Sequence, residues 1–511
     1  MGMRFRKLLT MNQVLAVGLA IVLEALWLVG LLTRFSRYAP WLSAGMRLLS
    51  LLIVVVLIRF EQKPELKMMW LTLIILMPIL GGTLYVLLGG GHPRLQPLYR
   101  RLKESEGVYA EQLHQDPETL RHLGDADSSF LRKAHFLSDT QNAPVYDHTD
   151  ARFFPLGEEA WAAMLEDLKK ARRYIFLEYF IVEEGKMWDA MHAVLAQKAA
   201  EGVEVRFLYD DVGSLGTVPR SYWRHLSAEG IHCHAFNRFI PFLSIMMNNR
   251  DHRKILSIDG RIGYMGGINL ADEYINAKVI HGHWKDTAVR LEGRAAWSLT
   301  VMFLQMWRAV ADVKEDFTQF RPQEGSWPSG SGFVQPYYDS PLDDIPTGAE
   351  VYLNIIDQAC EEVSIYTPYL IIDSEMMTSL QRAARRGVKV RIITPGIPDK
   401  KIVFSLTRSY YAPLIRAGVQ ILEYTPGFVH AKVFECDGRV ATVGSINMDY
   451  RSLLHHFECG TMLYDCACIE SIRSDLERTA ALSRQVSLQE CTYGLLRNCW
   501  LAALQIVSPL F

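Results

Sequence analysis

Two short segments hold residues suited to chemistry on phosphorus. The first reads HRKILSIDGRIGYMGGIN over 252–269, and the second reads HAKVFECDGRVATVGSIN over 430–447. Each opens with His-x-Lys, carries an Asp in Asp-Gly-Arg, and runs on to a glycine, a small residue and an Asn. One H-x-K-x4-D match has a chance of roughly 10⁻⁴ per position on ordinary composition, so two with the same extension are a repeat. Residues i and i+2 of a strand share a face, which points His252 with Lys254 and His430 with Lys432. The ammonium neutralises phosphate oxygens, while the imidazole attacks phosphorus or passes a proton. Gly267 and Ser445 are small enough to let backbone or hydroxyl approach a phosphate, and Asn269 and Asn447 can donate amide hydrogens to it. Asp259 and Asp437 complete the catalytic set by motif. As Asp-Gly pairs they also suit a hairpin turn, and so a structural or charge-balancing role. A repeat could preserve a fold alone, but a buried Lys beside a His is a poor structural choice.

The elements that must position these residues are strands and helices in alternation. YIFLEYFIV (174–182) and VEVRFLYDD (203–211) read as strands around a helix, MWDAMHAVLAQKAAEG. The order recurs with VSIYTPYLII (363–372), the helical MMTSLQRAARRG and VKVRIITPG (388–396). This pattern predicts parallel βαβ units in two pseudo-symmetric α/β domains. HRKILSID reads as a strand turning at Asp259-Gly260. The expected divisions are a membrane anchor (1–92), a mostly helical connecting segment (93–140), a first domain (141–322) and a second (323–511). The seam lies in the Pro/Gly/Ser-rich 322–340.

Composition narrows the classes. With 511 residues, 50% hydrophobic, 11% aromatic and a net charge of −2, the chain can build large cores. It lacks the basic excess of a nucleic-acid binder. Eight cysteines without a CxxC pair fit neither a disulfide scaffold nor a structural zinc site, and no other cluster has metal-ligand spacing. The apolar stretches Val14–Thr33, Trp41–Ile58 and Met68–Leu88 approach the ~20 residues that span a bilayer, and they predict two or three membrane helices. Glu24 and Arg47, the lone charges in the first two, are candidates to pair. Arg94, Arg100, Arg101 and Lys103 favour the cytoplasmic side for the rest of the chain. RFIPFLSIMM (238–247), SYYAPLI (409–415) and the apolar C-terminus are candidate lipid-facing segments or core.

The paired motifs resemble those of the phospholipase D superfamily. Together with LEYF around Glu178, TPYL (367–370), HWKDT (283–287), SPLF and the apolar N-terminus, the chain is similar to bacterial cardiolipin synthases over nearly its whole length. That resemblance implies two α/β/α sandwich domains behind a helical membrane anchor, with one motif from each domain lining a shared cleft. It implies transfer of a phosphatidyl group between two phosphatidylglycerols through a phosphohistidine, giving cardiolipin and glycerol, with no metal or cofactor. His252 is the expected nucleophile and His430 the acid and base. Glu458, in HHFECG, is expected to orient the histidine of the second copy, and Asp286, in HWKDT, that of the first. Glu178 gains a site role over its plain reading as a strand residue paired with an Arg. His455-His456 stand where an Asn is usual before Phe-Glu, which bears on acceptor recognition. Expected partners are phosphatidylglycerol, anionic lipid and the bilayer, with the catalytic domains on the cytoplasmic face of a bacterial membrane. A membrane phospholipase D hydrolase, a transferase with another donor or acceptor, and a scaffold on a dead repeat are the alternatives.

Overall fold

The computed structural model describes residues 17–26, 48, 51–55, 57–59, 63–85, 87, 97–238, 248–323, 327–343 and 345–510. They form two compact units, and the larger consists of residues 97–238 and 250–494.

That unit holds two sheets of matching topology. Strands β1 (Thr149–Phe154), β2 (Tyr174–Tyr179), β3 (Glu204–Asp210), β4 (His232–Phe236), β5 (Ile255–Ile258), β6 (Ile262–Gly266) and β8 (Ala288–Gly293) assemble in the order 1-8-6-5-2-3-4, with β7 (His283–Lys285) outside this sheet. In the second copy β9 (Phe333–Asp339), β10 (Glu362–Tyr366), β11 (Lys389–Pro395), β12 (Gln420–Tyr424), β14 (Val433–Cys436), β15 (Val440–Gly444) and β16 (Glu458–Tyr464) give 9-16-15-14-10-11-12, and β17 (Ser483–Gln485) extends the edge. The central β2–β3 and β10–β11 pairs are parallel, joined by the helices Lys186–Ala200 and Ser374–Arg385. One apolar core runs through both copies around the almost wholly buried helix Ala296–Ala311, from Phe176 and Val289 to Ala441 and Cys459.

Two short parallel contacts tie the copies together where the motifs lie. β13 (Gly427–Val429) pairs with β7, and Asp251 bridges Phe457. His430 N donates to Lys285 O at 2.7 Å, and His252 N donates to Phe457 O at 2.9 Å. Each motif histidine therefore hangs from a strand of the opposite copy.

Several boundaries differ from expectation. Regular strand geometry begins only at Ile255 and Val433, so His252–Lys254 and His430–Lys432 precede the strands in extended runs. TPYL lies beyond the end of β10. The seam residues FVQPYYD form β9, and Pro336 fits there because β9 is at the end of its sheet order. The expected connecting segment is three helices, Pro97–Gln112, Pro117–Ala126 and Ser128–Gln141, that belong to the larger unit. Tyr411 and Leu414 of SYYAPLI are core.

The second unit takes the described residues up to 87, with 248–249 and 495–510. The C-terminal helix Leu495–Ile506, expected in the second domain, packs instead on the helix Pro64–Leu76. The third apolar stretch is not one helix. It breaks at Met77 between Pro64–Leu76 and Pro78–Leu84, because Pro78 lacks an N–H and crowds the preceding turn. Among the described residues no helix is long and apolar enough to cross a membrane. Glu24, 2% exposed, accepts hydrogen bonds from Ile79 N (2.9 Å) and Leu80 N (3.1 Å), donors that this break leaves without helical partners. Arg47, its expected partner, and residues 239–247 of RFIPFLSIMM lie outside the described residues.

Candidate active site

The crossed strand contacts bring both motifs into one buried cluster. His252 Nδ1 lies 2.8 and 3.0 Å from the Glu458 carboxylate oxygens, and His430 Nδ1 lies 2.7 Å from Asp286 Oδ2. The sequence reading paired each carboxylate with the histidine of its own copy, and the structure corrects this. Glu458 opens β16 of the second copy and serves His252, while Asp286 follows β7 of the first copy and serves His430. A carboxylate that is ionised can only accept, so in that state it holds the proton on the facing Nδ1 and leaves Nε2 for chemistry; Lys432 Nζ also lies 2.9 Å from His430 Nδ1.

The lysines fold back over their own motifs. Lys254 Nζ donates to His252 O at 2.5 Å, Lys432 Nζ donates to His430 O, and both side chains are buried. Burial lowers Lys254 to about 8 and Lys432 to about 7. Burial and the nearby Lys254 hold His252 well below its ordinary value, and burial with Lys432 lowers His430 to about 4. Both imidazoles are thus neutral near pH 7.

Gly267 and Ser445 face the carboxylates, not an open phosphate site. A Cβ at Gly267 would sit 2.2 Å from Asp286 Oδ1. At the equivalent place Ser445 Oγ donates to Glu458 Oε2 at 2.5 Å. The Asn amides are also engaged. Asn269 accepts from Ile181 N (3.0 Å) and donates to the Tyr274 hydroxyl (2.8 Å), and the Tyr274 ring meets the His430 ring edge-on at 5.4 Å. Asn447 hydrogen-bonds Asp449.

Asp259 and Asp437 do not reach the histidines and leave the catalytic set. Asp259 accepts from the backbone N–H of Arg172, Arg173 and Tyr174, and Asp437 from those of Cys360, Glu361 and Glu362, at 2.8–2.9 Å. Each sits at positive φ (54°) before a glycine at positive φ, at the far end of the strand from its histidine. They clamp the starts of β2 and β10 to the hairpins, a structural task. Glu178 is fully buried and accepts from Arg253 Nε at 2.7 Å, which makes it a positioning residue for the segment between His252 and Lys254. Arg250 does the same just before the motif, bound to Asp210 at 2.8–3.0 Å.

Sequence reasoning gave no role to Phe180, Trp284 or Tyr274, and singled out His456 only as a departure bearing on acceptor recognition. Phe180 (4.9 Å between centroids) and His456 (5.4 Å) flank His252, while Trp284 (5.5 Å) and Tyr274 flank His430. Phe180 and Trp284 lie in LEYF and HWKDT, two residues from Glu178 and Asp286, which was the available signal. Spacing along the chain shows no metal-ligand cluster, yet the fold collects one. Donor atoms of His252, His456 and Glu458 lie within 4.8 Å of one another.

Comparison with known proteins identifies the family. The family described as "Cardiolipin synthase, PLD-like domain" matches residues 164–307 and 352–480, taking in both motifs, and "Phospholipase_D-nuclease N-terminal" matches 48–90. An uncharacterized protein of Streptococcus mutans is 45% identical over 418 residues, 82% of this chain and 90% of its own. A cardiolipin synthase of Alkalihalophilus pseudofirmus is 33% identical over 445 residues, 86% of this chain and 88% of its own. Another, of Halalkalibacterium halodurans, is 30% identical over 486 residues, 90% of this chain and 92% of its own. Among solved structures, phosphatidylserine synthase of Haemophilus influenzae shares the fold, with a TM-score of 0.58 at 12% identity over 74% of this chain and 99% of that one.

Proposed function

This chain belongs to the cardiolipin synthase family of phospholipase D-like enzymes, and we propose that it carries the family reaction through two histidines of unlike role. His252 Nε2 attacks the phosphorus of one phosphatidylglycerol. The anionic phosphodiester of the bound substrate, with Asp286, brings His430 into this step protonated on Nε2; the bond from phosphorus to the headgroup glycerol breaks, and the leaving glycerol oxygen takes that proton. The phosphatidyl group now rests on His252. His430, neutral again, takes the proton from the terminal hydroxyl of a second phosphatidylglycerol, whose oxygen attacks phosphorus and releases His252. Cardiolipin and glycerol leave. Lys254 and Lys432 neutralise the phosphoryl oxygens as charge develops.

The crossed histidine–carboxylate pairs carry this reading. Both imidazoles are held through Nδ1, which leaves both Nε2 atoms for substrate, one as nucleophile and the other as acid and base.

The N-terminal unit supports a further part of the proposal, attachment to the membrane. Its helices expose Leu19, Ile21, Leu51, Val55, Ile58, Ile75 and Leu76, and the C-terminal helix exposes Leu495, Leu496 and Trp500, more apolar surface than a water-facing protein keeps uncovered. The basic residues after this unit favour cytoplasmic catalytic domains. Phosphatidylglycerol and anionic lipid are the proposed partners.

The test is lipid mass spectrometry after the purified enzyme meets phosphatidylglycerol alone. Cardiolipin with an equal amount of free glycerol is expected. Phosphatidic acid as the main product would replace transfer with hydrolysis.

A further inference from the structure

His456 is 8% exposed, and neither ring nitrogen has a hydrogen-bond partner among the described residues. Its Nδ1 lies 3.6 Å from Glu458 Oε1, beyond hydrogen-bond range, and its ring leans on that of His252. In the other copy the equivalent place is Trp284, two residues before Asp286 as His456 is two before Glu458, and it leans on His430 at a similar distance. The fold needs only a flat ring there. An imidazole adds two nitrogen donors that the reaction proposed above does not use.

We propose that His252, His456 and Glu458 form a binding site for a borderline divalent metal ion, Zn²⁺ above all, and that an ion seated there inhibits the enzyme. Two imidazoles and a carboxylate are a donor set that Zn²⁺ takes in four-coordinate sites with one position left open. Bonds of about 2.0–2.1 Å set neighbouring donors of a tetrahedral ion roughly 3.3 Å apart. Here the Glu458 Oε1 contacts span 2.8 Å to His252 Nδ1 and 3.6 Å to His456 Nδ1, and the whole set lies within 4.8 Å. Small side-chain rotations close that difference. The ion would separate His252 from the carboxylate that orients it and add positive charge where the imidazole must attack. The inhibitory role rests on His252 as the attacking residue, but the metal binding does not.

Binding and inhibition are measured separately on the full chain in detergent. Equilibrium dialysis against ZnCl₂ with elemental analysis reads stoichiometry without substrate, and Co²⁺ absorption in the visible reads four-coordinate geometry. The wild type is expected to bind one Zn²⁺, with affinity weakened at least about tenfold to 100-fold in His456→Phe. His430→Ala removes the symmetry-related imidazole and is expected to bind Zn²⁺ as the wild type does. Should His456→Phe fail to fold by circular dichroism, His456→Trp copies the other half and serves instead. No stoichiometric binding, or equal binding by the wild type and the His456 variant, overturns the site. In turnover assays EDTA should restore activity lost to Zn²⁺. Stoichiometric binding that leaves turnover untouched overturns the inhibitory role.

Discussion

The two halves hold their histidines on the same scaffold but in unlike surroundings. His430 lies against the Trp284 and Tyr274 rings, which also touch each other, with the short carboxylate of Asp286 reaching it past Gly267. His252 lies against Phe180 and a second imidazole, and the longer Glu458 is tethered by the Ser445 hydroxyl. The carboxylates respond in opposite senses. Burial pushes Asp286 up, but His430 and Lys432 outweigh it and hold it below its ordinary range, firmly ionised. For Glu458 burial wins over Lys254 and Ser445, and its carboxyl is raised. An ionised Asp286 favours a proton on His430, the property of an acid and base. Burial and the neighbouring Lys254 keep His252 neutral with its lone pair available. The asymmetry thus matches a nucleophile in the first motif and a proton carrier in the second.

The largest expected effect tests that division directly. His252→Ala should trap no phosphatidyl-enzyme on acid quench and lose about 10⁴-fold or more in turnover. His430→Ala should be similarly inactive on phosphatidylglycerol, yet recover partly on a phosphodiester with an acidic phenol leaving group, which departs without a proton. Recovery stays incomplete because His430 also acts as base in the second step. If His252→Ala labels and is rescued by the phenol while His430→Ala does not label, the two roles are exchanged.

How far the chain alone reveals this arrangement depends on the range of each interaction. The paired motifs are local, so both histidines and both lysines of the expected reaction could be read from them, the carboxylates Glu458 and Asp286 came from the family resemblance, and alternation of strands with helices pointed to the repeated α/β fold. Asp-Gly turn chemistry is local too, and it pointed to the structural task of Asp259 and Asp437 although the motif counted them as catalytic. Which carboxylate serves which histidine is not local. It comes from β13 pairing with β7 and from the Asp251–Phe457 bridge, contacts between segments far apart in the chain. Glu178 illustrates the middle ground. Its partner Arg253 sits inside the motif, but only the β2–β5 pairing places the two together. His456 was visible as a departure from the expected Asn, while its nearness to His252 required the same crossing.

That crossing makes the next prediction. Glu458→Gln should impair formation of the His252 intermediate, lowering the single-turnover labelling rate by about 10²–10⁴-fold. Asp286→Asn should slow both steps that move a proton through His430, and the phenol substrate should rescue its labelling. Pairing within each copy predicts the reverse. Labelling by Glu458→Gln that is rescued by the phenol, with Asp286→Asn unrescued, would therefore mean the histidines are oriented by their own copies.

The smallest expected effect is on stability and comes from the lysines, where activity and stability should part. Lys432 is buried and lowered to about 7, and Lys254 to about 8. Their charged forms, which phosphate needs, exist below these values and are lost above them. kcat/KM for phosphatidylglycerol should therefore fall as pH rises through about 7 to 8. The kcat limb should lie higher, since a bound phosphodiester favours the ammonium. The stability linkage has the opposite sense. An unfolded Lys holds its proton up to about 10.4, so the folded state binds fewer protons between about 7 and 10 and gains stability as pH rises across that window. Below pH 7 the full cost of burying the ammonium remains. Lys432→Met removes that cost and should be nearly inactive yet more stable by about 1–4 kcal/mol near pH 6–7. Its advantage over the wild type should shrink by about 1.4 kcal/mol per pH unit between pH 7 and 10. Denaturant melts of the two proteins at pH 6.5 and 9 measure this. An advantage that stays constant with pH would mean that Lys432 is not the group whose burial opposes folding.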